Sequence, residues 1–443
     1  MKIIIIGAEA AGSSAAAKAK RVQPDATVTV YEKTDIVSFG ACGLPYFIGN
    51  QFNDENEMVS RTPEQFIQSG INMHILHEVI AIDQDQKKVT VRDIVNNRTF
   101  EDSYDKLLIT VGASPVIPPL ENIGLANIFT IRNIHDGLKF KAHLSSSNIQ
   151  NVAIVGGGYI GLELAEALVE LGKKVKVFQL NDRVLAEAFD KEITDVIETE
   201  LHRKCDLHLN EIVQGFKGTE RVEMIYTNKG MHPTDVVIIS TGVRPNSQVY
   251  KSIGLEMLGN DAIIIDEYGQ TNLPDIYAAG DCASIYHLVS QTTSYIPLAT
   301  SANKIGRIVG ENLVGGKASF PGTLGTSALR IFDLEAGRTG LTEEGVKKAG
   351  IPYKTVFVKD KNHSNYIPGQ AAIYAKVIYH AETREMLGGQ LVGSSGAVLR
   401  ANVLATAIWK KTKIDELAMM DFLYAPPFSR PWDILNLLGS VAK

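Results

Sequence analysis

Cys42 stands in the stretch Ser38-Phe39-Gly40-Ala41-Cys42-Gly43-Leu44-Pro45-Tyr46-Phe47-Ile48-Gly49, which reads as an apolar loop with the thiol between glycines. A cysteine becomes a nucleophile where its thiolate is favoured by nearby positive charge or a helix N-terminus. Glycines allow a flat cofactor to approach the backbone closely. The chemistry expected is exchange with a small-molecule disulfide, followed by re-reduction of the thiol. A buried structural cysteine is the plain alternative for any lone Cys, so the surrounding elements must decide.

Those elements begin with Lys2 to Ile6, a continuous apolar, β-branched run that predicts a central parallel strand. It enters Gly7-Ala8-Glu9-Ala10-Ala11-Gly12 and a helix-forming segment from Ser13 to Arg21. Strand, glycine turn and helix in this order place a pyrophosphate on helix-terminal N–H groups. Glu9 replaces the middle glycine of the dinucleotide fingerprint, so the loop is weak by itself. A second strand, Thr27 to Tyr31, ends at Glu32, 20 residues past Gly12, where an acid holds an adenosine ribose.

The second unit is complete. Val152 to Val155 runs into Gly156-Gly157-Gly158-Tyr159-Ile160-Gly161 and an amphipathic helix from Leu162 to Leu171. Two such loops in one chain call for two nucleotide cofactors, and a flavin with a nicotinamide is the economical pair. The strand Val175 to Phe178 ends at Gln179, where an NAD-selective protein usually has Asp or Glu. No carboxylate there repels a 2′-phosphate, and Arg183 is close enough in sequence to help hold one. NADPH is therefore permitted, with preference for it left open; in the other reading Gln179 simply hydrogen-bonds the ribose of NADH.

Two segments return to the first unit. Val236 to Asn246 echoes Thr110-Val111-Gly112-Ala113-Ser114-Pro115 and contains Gly242. Thr271 to Ala283 contains Gly280 and Asp281; an Asp at a strand-to-helix glycine turn can bind a ribityl hydroxyl while the helix receives the flavin pyrophosphate. Its neighbour Cys282 reads as packing. Alternating residues between 71 and 110 predict a small antiparallel insert.

With 443 residues the chain exceeds one core and predicts about three domains. The boundaries expected are 1–113 with 246–321 for FAD, 114–245 for NAD(P), and 322–443 for a third domain of α+β type. At 45% hydrophobic and 21% charged residues the composition is that of a globular protein, and a net charge of −6 argues against nucleic acid and anionic membrane. Three widely spaced cysteines fit a reducing compartment, and the short N-terminal apolar run is no signal peptide, so a cytoplasmic location is expected. No zinc-type spacing, and hence no metal site, is read from the sequence. The third domain offers two aromatic polar spots, His363 to Gly369 and Tyr424 to Pro431.

Taken together, the motifs resemble the FAD-dependent pyridine nucleotide-disulfide oxidoreductases over essentially the whole chain. Within them the chain is similar to the single-cysteine branch, which includes coenzyme A-disulfide reductase, NADH oxidase and NADH peroxidase. Most relatives use Cys-x4-Cys; here Phe47 stands five residues after Cys42. The resemblance implies two dinucleotide-binding, Rossmann-like α/β domains, a C-terminal dimerisation domain, and a homodimer whose subunits share the active site. It implies FAD and NAD(P)H as cofactors and coenzyme A as substrate or as mixed disulfide on Cys42.

The resemblance also implies roles. Cofactor contacts fall on Gly7, Ala11, Gly12, Glu32, Lys33, Val79, Gly112, Gly156, Gly158, Tyr159, Ile160, Gly161, Glu163, Gln179, Arg183, Gly242, Gly280, Asp281 and Ala299. Ser38 and Ala41 border the substrate, although Ala41 replaces a polar residue sometimes found there. Ser14, Lys18 and Arg21 correspond to residues that bind the coenzyme's phosphates; a solvated helix end is the plainer reading of the basic pair. Tyr366 and Tyr424 match two tyrosines of the disulfide site, with Tyr424 serving from the partner subunit. Tyr159 is expected to swing from the nicotinamide pocket. Oxidases of this branch carry a histidine where this chain has Ala10. The alternatives are a water-forming NADH oxidase cycling Cys42 through sulfenic acid, and a polysulfide or persulfide reductase, although no rhodanese-like extension follows the last helix. A flavin-bearing electron donor to another protein is the reading from a different class.

Overall fold

In the computed structural model, which describes residues 1–146 and 148–443, three sheets organise the chain. The first has five parallel strands in the order Ile276–Ala278, Lys106–Ile109, Lys2–Ile6, Thr27–Tyr31, Asn72–His74. Its centre is the isoleucine run, with Ile3, Ile4 and Ile5 wholly buried, as a strand covered on both faces requires. The second repeats that plan with Asp206–His208, Lys174–Phe178, Asn151–Val155, Val236–Ile239 and Ile128–Phe129, again all parallel. Because Ile276–Ala278 pairs with Lys106–Ile109, the first sheet takes strands from both sides of the second in sequence.

Each unit carries a three-stranded antiparallel insert: His77–Asp83, Lys88–Asp93 and Arg98–Ser103 in the first, Val213–Lys217, Met224–Thr227 and Met231–Pro233 in the second. The alternation noted after residue 71 thus covers two structures, since Asn72–His74 joins the parallel sheet and the insert starts at His77. The two similar segments around Gly112 and Gly242 meet as an antiparallel ladder, Ala113–Pro115 with Val243–Pro245.

The third sheet is antiparallel, ordered Ser327–Ile331, Leu334–Gly340, Met386–Gly393, Ala372–His380, Tyr353–Lys361. Helix Ala397–Trp409 covers one face, and Gly389 makes room for it: a Cβ there would stand 2.5 Å from Leu404 Cδ1. Lys376 on this sheet is 1% exposed and reaches Glu192 (2.6 Å), Asp190 (3.5 Å) and Glu343. A buried ammonium needs such partners, and two of the three lie in the second unit, so the third domain is tied to it.

Three details correct the sequence reading. The helices after the glycine loops start earlier than expected, at Ala10–Val22 and Tyr159–Glu170, because Glu9 and Gly158 act as their N-caps. The Cys42 stretch is not a loop: Ala41–Gly43 forms a 3-10 turn that leads into helix Leu44–Ile48, with Pro45 in the first turn, where its missing N–H costs nothing. No helix follows Asp281; the next elements are a turn and the hairpin Ile285–His287 with Thr292–Ser294. The helix termini beside Gly280 belong instead to Ala10–Val22, whose Ala11 side chain it touches, and to Ala299–Asn312.

Those two helices cross in direct backbone contact. A Cβ at Gly306 would lie 2.4 Å from the Ala11 carbonyl oxygen, and one at Gly310 would lie 2.4 Å from that of Ala15. Replacing Gly310 by Ala must push the helices apart and is expected to destabilise the protein by about 1–3 kcal/mol. A fall in thermal midpoint relative to wild type checks this; an unchanged midpoint contradicts the close crossing.

Candidate active site

The two glycine loops are built alike down to single hydrogen bonds. Thr110 Oγ1 donates to the Ile6 and Gly7 carbonyls, and Ser240 Oγ donates to those of Val155 and Gly156. Gly12 and Gly161 are required by close approach, since a Cβ would lie 2.0 Å from the Gly7 oxygen and 2.1 Å from the Gly156 oxygen. The second residue of each loop donates its N–H to the residue ending the next strand: Ala8 to Glu32 Oε2 at 2.8 Å, Gly157 to Gln179 Oε1 at 2.9 Å. Glu32 Oε1 accepts from Thr34 N and Oγ1, which leaves lone pairs for a ribose.

The middle position explains how Glu9 fits. A Cβ at its counterpart Gly158 would meet nothing within 4 Å, so no protein atom demands glycine there. The Glu9 carboxylate turns away and accepts the Phe39 N–H at 3.1 Å, linking the first loop to the stretch that carries the thiol. Burial, then the Glu32 charge, push Glu9 up to about 7, against the Phe39 hydrogen bond and Arg132. Burial also raises Asp281, with Arg132 opposing. Arg132, which sequence reasoning missed, is held by its Nε–H to the Ala113 carbonyl. Its segment carries no motif, and only folding brings it to these acids.

Cys42 is exposed. Burial of its sulfur, then Glu163 and Asp281, hold the thiol above its ordinary range, while its own backbone N–H and Arg132 pull the other way. Cys205 is partly buried and Cys282 wholly so, the latter packed among Ile4, Ile109 and Tyr250 with burial pushing it up to about 12. Opposite the thiol, Glu163 projects from helix Tyr159–Glu170 toward Tyr46. Burial, then Glu166, raise Glu163 to about 7 against the Tyr46 hydrogen bond. Tyr159 is tied by its hydroxyl to Ser327 Oγ at 2.7 Å, so any swing begins by breaking that bond.

Other expected residues are placed as follows. Lys33 and Ile160 are exposed, Val79 is buried at a bulge in its strand, and Ala299 opens its helix at the surface. Gly112 and Gly242 are in the left-handed region, at φ 65° and 107°. Ser38 also has positive φ, and its N–H donates to the Ala8 carbonyl; Ala41 is half-buried beside the thiol. Arg183 differs from expectation: its guanidinium donates to the Phe189 carbonyl at 2.7 Å and the Ala186 carbonyl at 3.1 Å, and so braces its own loop. Ser14 and Lys18 are half-buried and Arg21 exposed on one helix face, with Lys18 paired to Glu311 at 2.9 Å. Lys20 donates to the Pro24 and Ala26 carbonyls, the plain helix-end role. Tyr366 and Tyr424 are exposed in the third domain with hydroxyls 3.4 Å apart. Neither is among the groups acting most strongly on Cys42 within the chain.

Two dinucleotide cradles flanking an accessible thiol define a nucleotide-dependent thiol oxidoreductase, and the open space at Gly158 and the buried acids around the first loop fit bound cofactors. The chain belongs to the pyridine nucleotide-disulphide oxidoreductases, whose model matches residues 1–306; the dimerisation domain of the same family matches residues 326–434. Members are NAD(P)H-dependent FAD enzymes. The chain is similar to an NAD(P)H coenzyme A polysulfide/persulfide reductase of Pyrococcus horikoshii, 37% identical over 100% of this chain and 98% of the relative. It is also similar to a coenzyme A disulfide reductase of Staphylococcus aureus, 31% identical over the full length of both. The solved structure of the water-forming NADH oxidase from Lactobacillus brevis bound to NADH superposes with a TM-score of 0.95 at 34% identity, covering 99% of this chain and 97% of that one. Among the described residues no helix is long and apolar enough to cross a membrane.

Glu163 makes stability depend on pH in a stated direction. Its folded value near 7 lies above the ordinary 4.5, so between these the folded state keeps a proton that the unfolded state releases. Stability falls as pH rises through that window. Glu163→Gln is expected to flatten the fall, measured as urea midpoints of wild type and variant across the same window; equal slopes contradict the assignment.

Proposed function

We propose that the chain reduces coenzyme A disulfide, or a related low-molecular-weight disulfide, to thiols, using electrons from NAD(P)H. The observation that carries this reading is Cys42, an exposed thiol between two nucleotide folds with the side chain of Phe47, buried, where a second cysteine would otherwise stand. With no protein sulfur to pair with in this stretch, its oxidised state is a mixed disulfide with an outside thiol or a sulfenic acid. Three full-length relatives with three different names leave the choice to individual residues. Ala10 supplies no imidazole to act on bound oxygen, which supports the mixed disulfide.

In this reading Gly7 to Gly12, Glu32 and Asp281 would hold FAD at its pyrophosphate, ribose and ribityl chain, and FAD would supply the electron pair drawn from NAD(P)H. Gly156, Gly158 and Gly161 would hold NAD(P)H, with Gln179 at its ribose and Glu163 at the nicotinamide end, and Tyr159 would have to move from Ser327 to admit it. Cys42 Sγ attacks one sulfur of the disulfide, forming a Cys42–S–S–coenzyme A bond and releasing one thiolate. Two electrons then cleave that bond, releasing the second thiol. Ser14, Lys18 and Arg21 take the coenzyme's phosphates, for which Lys18 must exchange Glu311. The Tyr366 and Tyr424 hydroxyls lie 3.4 Å apart, either able to donate to the other, and Tyr424 is the proton donor to the leaving thiolate in this reading. It acts on the partner subunit's thiol in a homodimer, and three widely spaced cysteines, as expected of a reducing compartment, support a cytoplasmic enzyme. Persulfide reduction by the same Cys42 is the second reading, favoured by the likeness to the Pyrococcus horikoshii reductase.

Mass spectrometry of the isolated protein is expected to find coenzyme A on Cys42. Cys42→Ser is expected to abolish NAD(P)H-dependent disulfide reduction while the protein stays yellow; retained reduction ends the proposal. Tyr424→Phe is expected to lower kcat by on the order of tenfold, below the 10²–10⁴ typical of proton donors, because a thiolate already leaves well. Oxygen consumption at saturating NADH that matches or exceeds disulfide reduction favours the oxidase instead.

A further inference from the structure

Away from the thiol, in the second nucleotide unit, His208, Glu211 and His232 each offer one donor atom, and the three atoms lie within 4.8 Å of one another. His208 ends strand Asp206–His208, Glu211 follows one turn later, and His232 sits on the hairpin strand Met231–Pro233. Glu211 Oε2 is 3.0 Å from His208 Nδ1, and Oε1 is 2.7 Å from His232 Nε2. The rings cannot turn away easily. His208 stacks on Phe178 at 4.7 Å, His232 meets the same ring edge-on at 5.0 Å, and the two imidazoles are 4.7 Å apart.

The partners beyond these three are arranged as outer support. Asp206 Oδ2 lies 3.1 Å from His208 Nε2, and Thr227 Oγ1 donates to Glu211 Oε1 at 2.6 Å. His208 therefore has a carboxylate oxygen at each ring nitrogen. A neutral imidazole carries one N–H, so both contacts are favourable together only when the ring holds a second proton or a metal ion takes that proton's place. A metal on Nδ1 leaves the buried Nε2–H, which has no aligned hydrogen-bond partner, facing the Asp206 carboxylate 3.1 Å away; closing that contact gives the carboxylate–imidazole–metal order in which the outer acid fixes tautomer and ring plane.

We propose that His208, Glu211 and His232 bind a divalent zinc ion, with Asp206 and Thr227 orienting the ligands. Two imidazoles and one carboxylate suit zinc and disfavour magnesium or calcium, which take all-oxygen shells. Three protein donors leave a fourth position to solvent. The site is one step from the nucleotide cradle, because Glu211 N–H donates to the Gln179 carbonyl at 3.1 Å and the Gln179 side chain accepts from Gly157. Zinc at this site fixes the strand end against which the adenosine ribose is proposed to rest.

The test titrates zinc into metal-stripped, flavin-bound protein against a chromophoric chelator. One zinc per chain, bound more tightly than micromolar and indifferent to magnesium, is expected. Asp206→Asn is expected to weaken it by roughly 10–100-fold. His232→Gln keeps an amide donor for Glu211 but removes the imidazole; it is expected to fold, by circular dichroism, and to lose the zinc. Cys42→Ser and Cys205→Ser are expected to retain it, which excludes the thiols as ligands. Binding no tighter than micromolar, or unchanged binding in His232→Gln, overturns the proposal and leaves a proton-held cluster.

Discussion

The contact between helix Leu44–Ile48 and helix Tyr159–Glu170 sets the geometry on which everything else in the molecule depends. Gly49, at the end of the first, approaches the second so closely that a Cβ would lie 3.1 Å from that of Ala167. Leu44, Phe47 and Ile48 share one buried cluster with Leu164 and Leu168, and with Leu329 and Ile331 of the third domain. Close-packed interiors resist being sheared. The thiol at the head of one helix and the nucleotide loop at the head of the other are thereby held in fixed relation, although they come from different units.

That packing also determines the electrostatics. It brings Glu163 toward the thiol, on which Asp281 also acts, and burial holds both acids above the ordinary carboxylate range. Arg132 is a cation that acts on Glu9, on Asp281 and on the thiol itself. A thiol in such surroundings is reluctant to ionise in the protein alone. Perturbed acids gathered around one sulfur are what functional sites show.

The duplicated loops separate what a fold demands from what a ligand demands. Gly12 and Gly161 are fixed by backbone contact, whichever nucleotide binds. Glu9 and Gly158 occupy the same position, yet only one is glycine, because the space there belongs to no protein atom. Likewise Glu32 and Gln179 both accept an N–H from the loop, so the strand-end residue has a structural duty besides any part in choosing a nucleotide.

The residues alone were enough to identify the central parallel strands, both loops and the lone thiol, since a buried strand and a glycine turn are written in adjacent side chains; the edge strands Asn72–His74, Asp206–His208 and Ile128–Phe129 were not. They also determined the packing role of Cys282. Only the tertiary structure showed that the Cys42 stretch is helical, that Arg183 braces its own loop, and that no helix follows Asp281. Glu9 reaching Phe39, Arg132 reaching the acids, and His208, Glu211 and His232 converging were equally beyond local reading. Local preference reports what neighbours in the chain impose. A charge or a hydrogen bond between residues a hundred positions apart depends on how the domains pack, and no short stretch of sequence contains that.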